Sequence, residues 1–146
     1  MTTDDDLLRL ENQLCFAIVT AARNVVAIYR PILEPLGLTH PQYLVMLALW
    51  ERAPRSLHDL AADLALEPAS ASPLVKRLEK EGLLRRTRSV EDERRLDIEL
   101  TDAGTALRER ALQVPLQVMQ AVGMDVDAVA RVRDGLAPFA GRSVPA

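Results

Sequence analysis

Apolar residues recur at 7, 10, 14, 18, 21, 25, 28 and 32. That near-helical spacing predicts one long first helix from Asp6 to about Leu36, opened by an Asp cluster at the positive end of its dipole. Its apolar set is broader than one stripe, since Leu14, Phe16, Ala17, Ile18 and Val19 lie close together. Such a helix is buried on more than one side, which points to a second subunit. Pro31 is expected to end or kink it, and Gly37 to start a turn.

Thr39-His40-Pro41-Gln42 fits a capping box, with Thr39 as N-cap, and opens a helix to about Glu51 whose core face reads Tyr43, Leu44, Leu47 and Trp50. Ser56-Leu57-His58-Asp59 is a second box, opening a short helix over Leu57–Leu64. A brief connection, 65–68, leads to another helix over Ala69–Glu81, and this spacing is that of a helix-turn-helix. Pro73 is tolerable there only near the first turn. Gly82 stops that helix. Leu83–Arg88 and Arg95–Leu100 then alternate as a half-buried hairpin around the charged tip 89–94. Thr101-Asp102 caps a long helix to about Met119, bent at Pro115, and Asp125 or Asp127 caps a last one to about Phe139.

The fold class expected is therefore mainly α with a small β-hairpin wing. A single domain spans 1–146, with a winged helix-turn-helix region at about 40–100 between dimerisation helices at about 6–36 and 101–139. A winged core flanked by apolar helices at both ends makes sense in a homodimer. Packing the first and last two helices of two copies together sets their second helices about one DNA turn, ~34 Å, apart.

Composition narrows the class. Hydrophobic residues make up 49%, charged residues 27% and aromatic residues 3% of 146 residues, an ordered aliphatic globule able to bury roughly 68–70% of its unfolded surface. No apolar run is expected to approach the ~20 residues of a membrane span. The acidic start Met1-Thr2-Thr3-Asp4-Asp5-Asp6 is unlike a signal peptide. The expectation is a cytoplasmic protein with no membrane partner. One cysteine, Cys15, excludes a disulfide within the chain. There is no metal cluster, phosphate loop, nucleophile elbow or carboxylate pair beside a base, so the sequence reads as no enzyme, without metal or cofactor.

The net charge is −3, which disfavours nucleic acid until the charge is located. Residues 74–95 hold eight Lys/Arg against five Asp/Glu, a local +3, leaving −6 elsewhere. Attraction to phosphate follows the local field, so double-stranded DNA remains a fitting partner. With Leu74, Val75 and Leu78 buried, Ser70, Ser72, Lys76, Arg77 and Lys80 are the candidates to enter the major groove, and Arg86 and Arg88 extend the basic surface onto the wing. His58 reads as a surface residue.

Asp92-Glu93-Arg94 at the hairpin tip, with 74–79 (Leu-Val-Lys-Arg-Leu-Glu) before it, is similar to the signature of the MarR family of bacterial winged-helix regulators, and the order of elements matches over essentially the whole chain. The resemblance implies a homodimer on a palindromic operator, with Arg94 entering the minor groove and Asp92 holding the wing; an Arg suits a narrow, negative groove. Within the family, 10–16 (Leu-Glu-Asn-Gln-Leu-Cys-Phe), 29–31 (Tyr-Arg-Pro) and 39–44 (Thr-His-Pro-Gln-Tyr-Leu) resemble the organic hydroperoxide-sensing repressors, the OhrR group. That likeness implies Cys15 as redox sensor, its sulfur hydrogen-bonded by tyrosine hydroxyls of the partner subunit. Tyr29 and Tyr43 match, and His40 stands where the group usually has another tyrosine.

A thiolate attacks peroxide, so the sensor needs donors nearby, here a helix N-terminus about two turns away and Tyr29 or His40 across the interface. An imidazole can still donate to the sulfur and, protonated, would favour the thiolate. Oxidation by an organic hydroperoxide gives a sulfenic acid. With no second cysteine in the chain, a small-molecule thiol or a backbone nitrogen is its next partner. Two other readings remain at this stage: a repressor released by a small lipophilic or phenolic ligand with Cys15 inert, and a thiol peroxidase-like enzyme.

Overall fold

The structure is a computed structural model and describes residues 2–140. Its helices are α1 (Asp4–Leu7), α2 (Leu14–Leu33), α3 (His40–Glu51), α4 (Leu57–Asp63), α5 (Pro68–Lys80), α6 (Asp102–Ala111), α7 (Gln113–Val122) and α8 (Val126–Gly135). Three strands, β1 (Arg55–Ser56), β2 (Leu84–Arg88) and β3 (Leu96–Leu100), form an antiparallel sheet in the order β1-β3-β2. The expected hairpin is present with Arg86 opposite Ile98 and Leu84 opposite Leu100. The extra strand β1, opposite Ile98 and Asp97, is too short to show any alternation.

The core lies in the winged region. Val45, Met46 and Leu49 of α3 meet Leu60 of α4, Val75 and Leu78 of α5, and Leu84 and Ile98 of the hairpin, all buried. Each such side chain stabilises the fold by about 1.5–3 kcal/mol through removal from water. Leu44 and Leu47, expected in this core, instead face outward on α3. Apolar residues run right round that helix, so spacing alone selects no face. Arg55 is buried too, paired with Asp63 and donating from Nη1 to the Ala48 carbonyl at 3.3 Å.

Helix ends follow the side chains that compete for backbone. The Thr39–Gln42 capping box is complete, and Ser56 accepts the Asp59 N–H at 3.1 Å. The long first helix does not begin at Asp6. Asn12 Nδ2 donates to the Asp6 carbonyl at 2.6 Å and Gln13 Nε2 to the carbonyls of Leu7 and Arg9 at 2.8 Å. Side chains thus take acceptors that a continuous helix would use, and a 3-10 turn at Leu10–Asn12 intervenes. Pro31 does not end α2, which runs to Leu33 and a 3-10 turn at Glu34–Leu36 before Gly37 turns at φ +71°.

Pro73 falls in the second turn of α5, later than expected. The helix expected over 101–119 is two helices meeting at Leu112. A proline ring clashes with the carbonyl four residues earlier, so Pro115 ends α6 at Ala111 and itself occupies the first turn of α7. Asp125 caps α8, which stops at Gly135 and is followed by a 3-10 turn at Ala137–Phe139.

The flanking helices are tied to the core by polar contacts. Trp50 Nε1 donates to the Gly104 carbonyl at 2.9 Å and Arg110 Nη2 to the Pro35 carbonyl at 2.6 Å. Gly104 abuts the Leu83 carbonyl, where a Cβ would collide. By length and composition Leu14–Leu36 is long and apolar enough to cross a membrane, contrary to the expectation that nothing approaches a span. Only Leu33 of α2 is buried within the single chain.

Candidate functional site

The reader of the winged region consists of α4, a link in which Ala65 adopts a left-handed φ of +55°, α5, and the hairpin β2–β3. On α5, Ser70, Lys76, Arg77 and Lys80 are exposed. Ser72 is half-buried and lines a cavity of about 70 Å³ with Leu57, Val75, Arg86, Leu96 and Ile98. It faces the root of the wing, away from the outer surface expected for it.

The wing arginines divide sharply. Arg85 pairs with Glu99 at 3.2 Å, and Arg95 with Asp97 at 2.9 Å and with Asp59 of α4 at 3.8 Å. Arg88 donates to the Glu93 carbonyl at 2.8 Å. Arg86 is forked onto Glu79 of α5, with Nε and Nη2 each 3.0 Å from a carboxylate oxygen. At the tip, the Asp92 carboxylate accepts the Arg94 N–H at 3.0 Å, an Asx turn that shapes the loop. Among the described residues, Lys76, Lys80 and Arg94 have no acidic side-chain partner. The local charge of +3 therefore overstates the cations available to phosphate, because most wing arginines already hold a carboxylate or carbonyl.

Cys15 is exposed and is the second residue of α2, so it sits in the first helical turn and not two turns from a helix start. Tyr29 is fourteen residues further on, about 21 Å along the axis. The structure brings Tyr29, His40 and Tyr43 together: the Tyr29 and His40 rings meet edge-on at 4.9 Å, and Tyr29 and Tyr43 lie 5.9 Å apart. It does not bring Cys15 to them within one protomer. Burial raises both tyrosine pKa values, with Tyr29 adding to the shift at Tyr43. Both phenols therefore keep their protons at neutral pH and have an O–H to donate. Burial lowers that of His40, which favours the neutral imidazole.

A cleft of about 710 Å³ opens beside this cluster. Arg30, Leu38 and His40 line one side, and Pro73, Leu74 and Arg77 of α5 the other. It is large enough for a small molecule.

The MarR family profile matches residues 38–96, the stretch from the α2–α3 turn through the wing. The chain is 41% identical over 110 residues to an organic hydroperoxide resistance transcriptional regulator of Bacillus subtilis (strain 168), covering 75% of each. The chain belongs to the MarR family. It is thus a DNA-binding transcriptional regulator, as its MarR-family relatives are, and not an enzyme. It is also similar to the HTH-type transcriptional regulator TtmR of Methylorubrum extorquens (strain PA1), 40% identical over 136 residues, or 93% of this chain and 70% of that one. Among solved structures, reduced AbfR bound to DNA, from Staphylococcus epidermidis, superposes with a TM-score of 0.76 at 32% identity, covering 94% of this chain and 96% of that one. The MarR winged-helix architecture expected from sequence is the one observed.

What sequence reasoning misses is chiefly the partnership of Glu79 with Arg86: the sequence puts Arg86 on the basic surface that meets DNA and gives Glu79 only a charge, whereas the structure bonds the two. Their only sequence signal is a separation of seven residues across the Gly82 turn.

Proposed function

We propose that this MarR-family regulator is a homodimeric repressor of a palindromic operator, and that oxidation of Cys15 by an organic hydroperoxide releases it. The observation that carries the reading is the position of Cys15: exposed, at the start of a helix whose apolar side chains Leu14, Phe16, Val19, Val25 and Val26 have nothing to cover them in one chain. A second copy packed on α2 buries that face. Because Tyr29 lies far along the same helix, with His40 and Tyr43 of α3 packed beside it, donors to the sulfur come from the partner subunit. Similarity to the Bacillus hydroperoxide resistance regulator supports the oxidant class.

The chemistry balances simply. The Cys15 thiolate attacks the terminal peroxide oxygen, the O–O bond breaks, and the alkoxide takes a proton from solvent, leaving a sulfenic acid and an alcohol. A small-molecule thiol then displaces water to give a mixed disulfide. Either product enlarges a side chain at the interface, and α2 carries the change to the reader through its turn into α3 and the Arg110–Pro35 contact. Ser70, Lys76 and Arg77 on α5 and Arg94 at the wing are the DNA contacts in this reading. Arg88 supports the wing, Asp92 shapes its tip, and the protein works in the cytoplasm.

The test is binding of wild type and Cys15→Ser to the duplex upstream of the gene, with and without cumene hydroperoxide. Peroxide should weaken wild type roughly 5–150-fold, the usual span of an allosteric coupling, and leave Cys15→Ser unmoved. Equal release of both proteins overturns the redox reading. A second reading, release by a small lipophilic or phenolic ligand with Cys15 inert, is favoured by the 710 Å³ cleft against α5. Release of Cys15→Ser by a salicylate-like compound, with no response of wild type to peroxide, would establish it instead.

A further inference from the structure

Among the described residues, Glu79 and Arg86 make the most complete polar contact between α5 and the wing. One carboxylate accepts three N–H groups of a single residue: the Arg86 backbone N–H at 3.1 Å, Nε at 3.0 Å and Nη2 at 3.0 Å. Two parallel bonds to a planar guanidinium fix orientation as well as distance, which a point-charge pair does not. Both side chains are about one-third exposed, 34% and 36%. The contact therefore survives at the surface by geometry more than by exclusion of water.

The connection it spans turns at Gly82, at φ +82° with nothing within 4 Å of where a Cβ would sit. The Leu83 N–H donates to the Leu78 carbonyl at 3.0 Å and Thr101 Oγ1 to the Gly82 carbonyl at 2.6 Å; those bonds hold the turn, and the fork lies beyond it on the strand. Arg86 also lines the 70 Å³ cavity, with Ser72 and Val75 of α5 and Leu96 and Ile98 of β3. The unpaired cations sit on both sides of this joint: Lys76 and Lys80 on α5, Arg94 at the wing tip. If Glu79 were merely solvated, it would repel phosphate on the surface that approaches DNA.

We propose that Glu79 and Arg86 are positioning residues of the DNA reader: their fork fixes the angle between α5 and the wing, so that the cations of both elements meet one duplex together. The inference rests on α5 and the wing being the DNA-reading surface. It takes Arg86 out of the set of direct DNA contacts.

The test uses full-length protein and two duplexes, one that wild type selects from a random pool and one scrambled, with binding read by fluorescence anisotropy across a salt series. Glu79→Gln removes a negative charge, so charge alone predicts equal or tighter binding to both. Positioning predicts about tenfold weaker binding to the selected duplex, the size of losing one specific contact, with the scrambled duplex unchanged or tighter. Arg86→Lys keeps the charge but not the fork, and should lose the same preference. On the scrambled duplex Arg86→Gln should leave the salt slope unchanged, whereas loss of a direct phosphate contact lowers it by about 0.9 on both duplexes.

Thermal melts of all three variants should stay close to wild type, the side chains being surface ones. Should Glu79→Gln bind the selected duplex at least as tightly as wild type, or Arg86→Lys retain full preference, the proposal fails while DNA reading stands. Wild type that selects no duplex from the pool overturns the DNA-reading premise itself.

Discussion

Helices α2 and α3 are both rich in apolar residues, yet α3 buries six of its twelve residues and α2 one of its twenty. The difference is one of company. α3 is surrounded by α2, α4, α5, α6 and the sheet of its own chain, whereas α2 has α7 and α3 beside it and open solvent elsewhere. The winged region is thus a finished core, and the flanking helices are half of one. α8, with no buried residue, exposed Val126 and Val132 and the exposed Leu136 just after it, tells the same story at the other end. Exposed apolar surface of this extent marks an interaction site, which is why the proposed second copy belongs on these helices and not on the wing.

The comparison is broken most forcefully in the finished core. Leu49→Ala should cost about 2–5 kcal/mol, the usual range for a buried leucine, with an unfolding midpoint that does not depend on protein concentration in a way different from wild type. Urea melts at several concentrations check this, and a loss below 1 kcal/mol would mean that α3 is less tightly enclosed than it looks.

The unfinished half should behave otherwise. Phe16→Ala on α2 should weaken self-association by about 2 kcal/mol, as truncating an aromatic interface anchor does, while the stability of the separated chain hardly changes. Sedimentation equilibrium measures the first and dilute melts the second. An unaltered dimer would place the partner on another face.

The smallest effect lies at the seam between the two regions. Burial holds His40 below the ordinary histidine value of 6.5. As pH falls through that region, the unfolded chain takes up a proton that the folded chain resists. The contribution of this group to stability is therefore full at higher pH and is lost as pH drops through and below 6.5. His40→Gln should flatten that part of the pH dependence of the urea midpoint. An unchanged slope would show that the imidazole titrates as freely in the folded protein as in the unfolded chain.

Much of the architecture was legible because its signals are local. Thr39 with Gln42, Ser56, Thr101 and Asp125 each mark a helix start through their own side chains, and Leu84 and Ile98 alternate as a hairpin must. The misplaced starts and stops have equally local causes that competed with periodicity. Asn12 and Gln13 captured carbonyls that would have continued a helix from Asp6, and the Pro115 ring acted four residues upstream of itself. For the candidate site, the basic stretch pointed to the right elements but not to the usable charges, since Arg85, Arg86, Arg88 and Arg95 are engaged within the chain.

By itself, the amino-acid sequence determined the element order, the winged-helix class, the family and the identity of the lone thiol, because each is carried by spacing or by residue type. Tertiary structure decided which face of α3 is inside, that Cys15 opens its helix far from Tyr29, His40 and Tyr43, and that Glu79 answers Arg86. Those are relations between residues brought together from different elements, and a pattern along one chain contains no information about which carboxylate a guanidinium will meet across a turn.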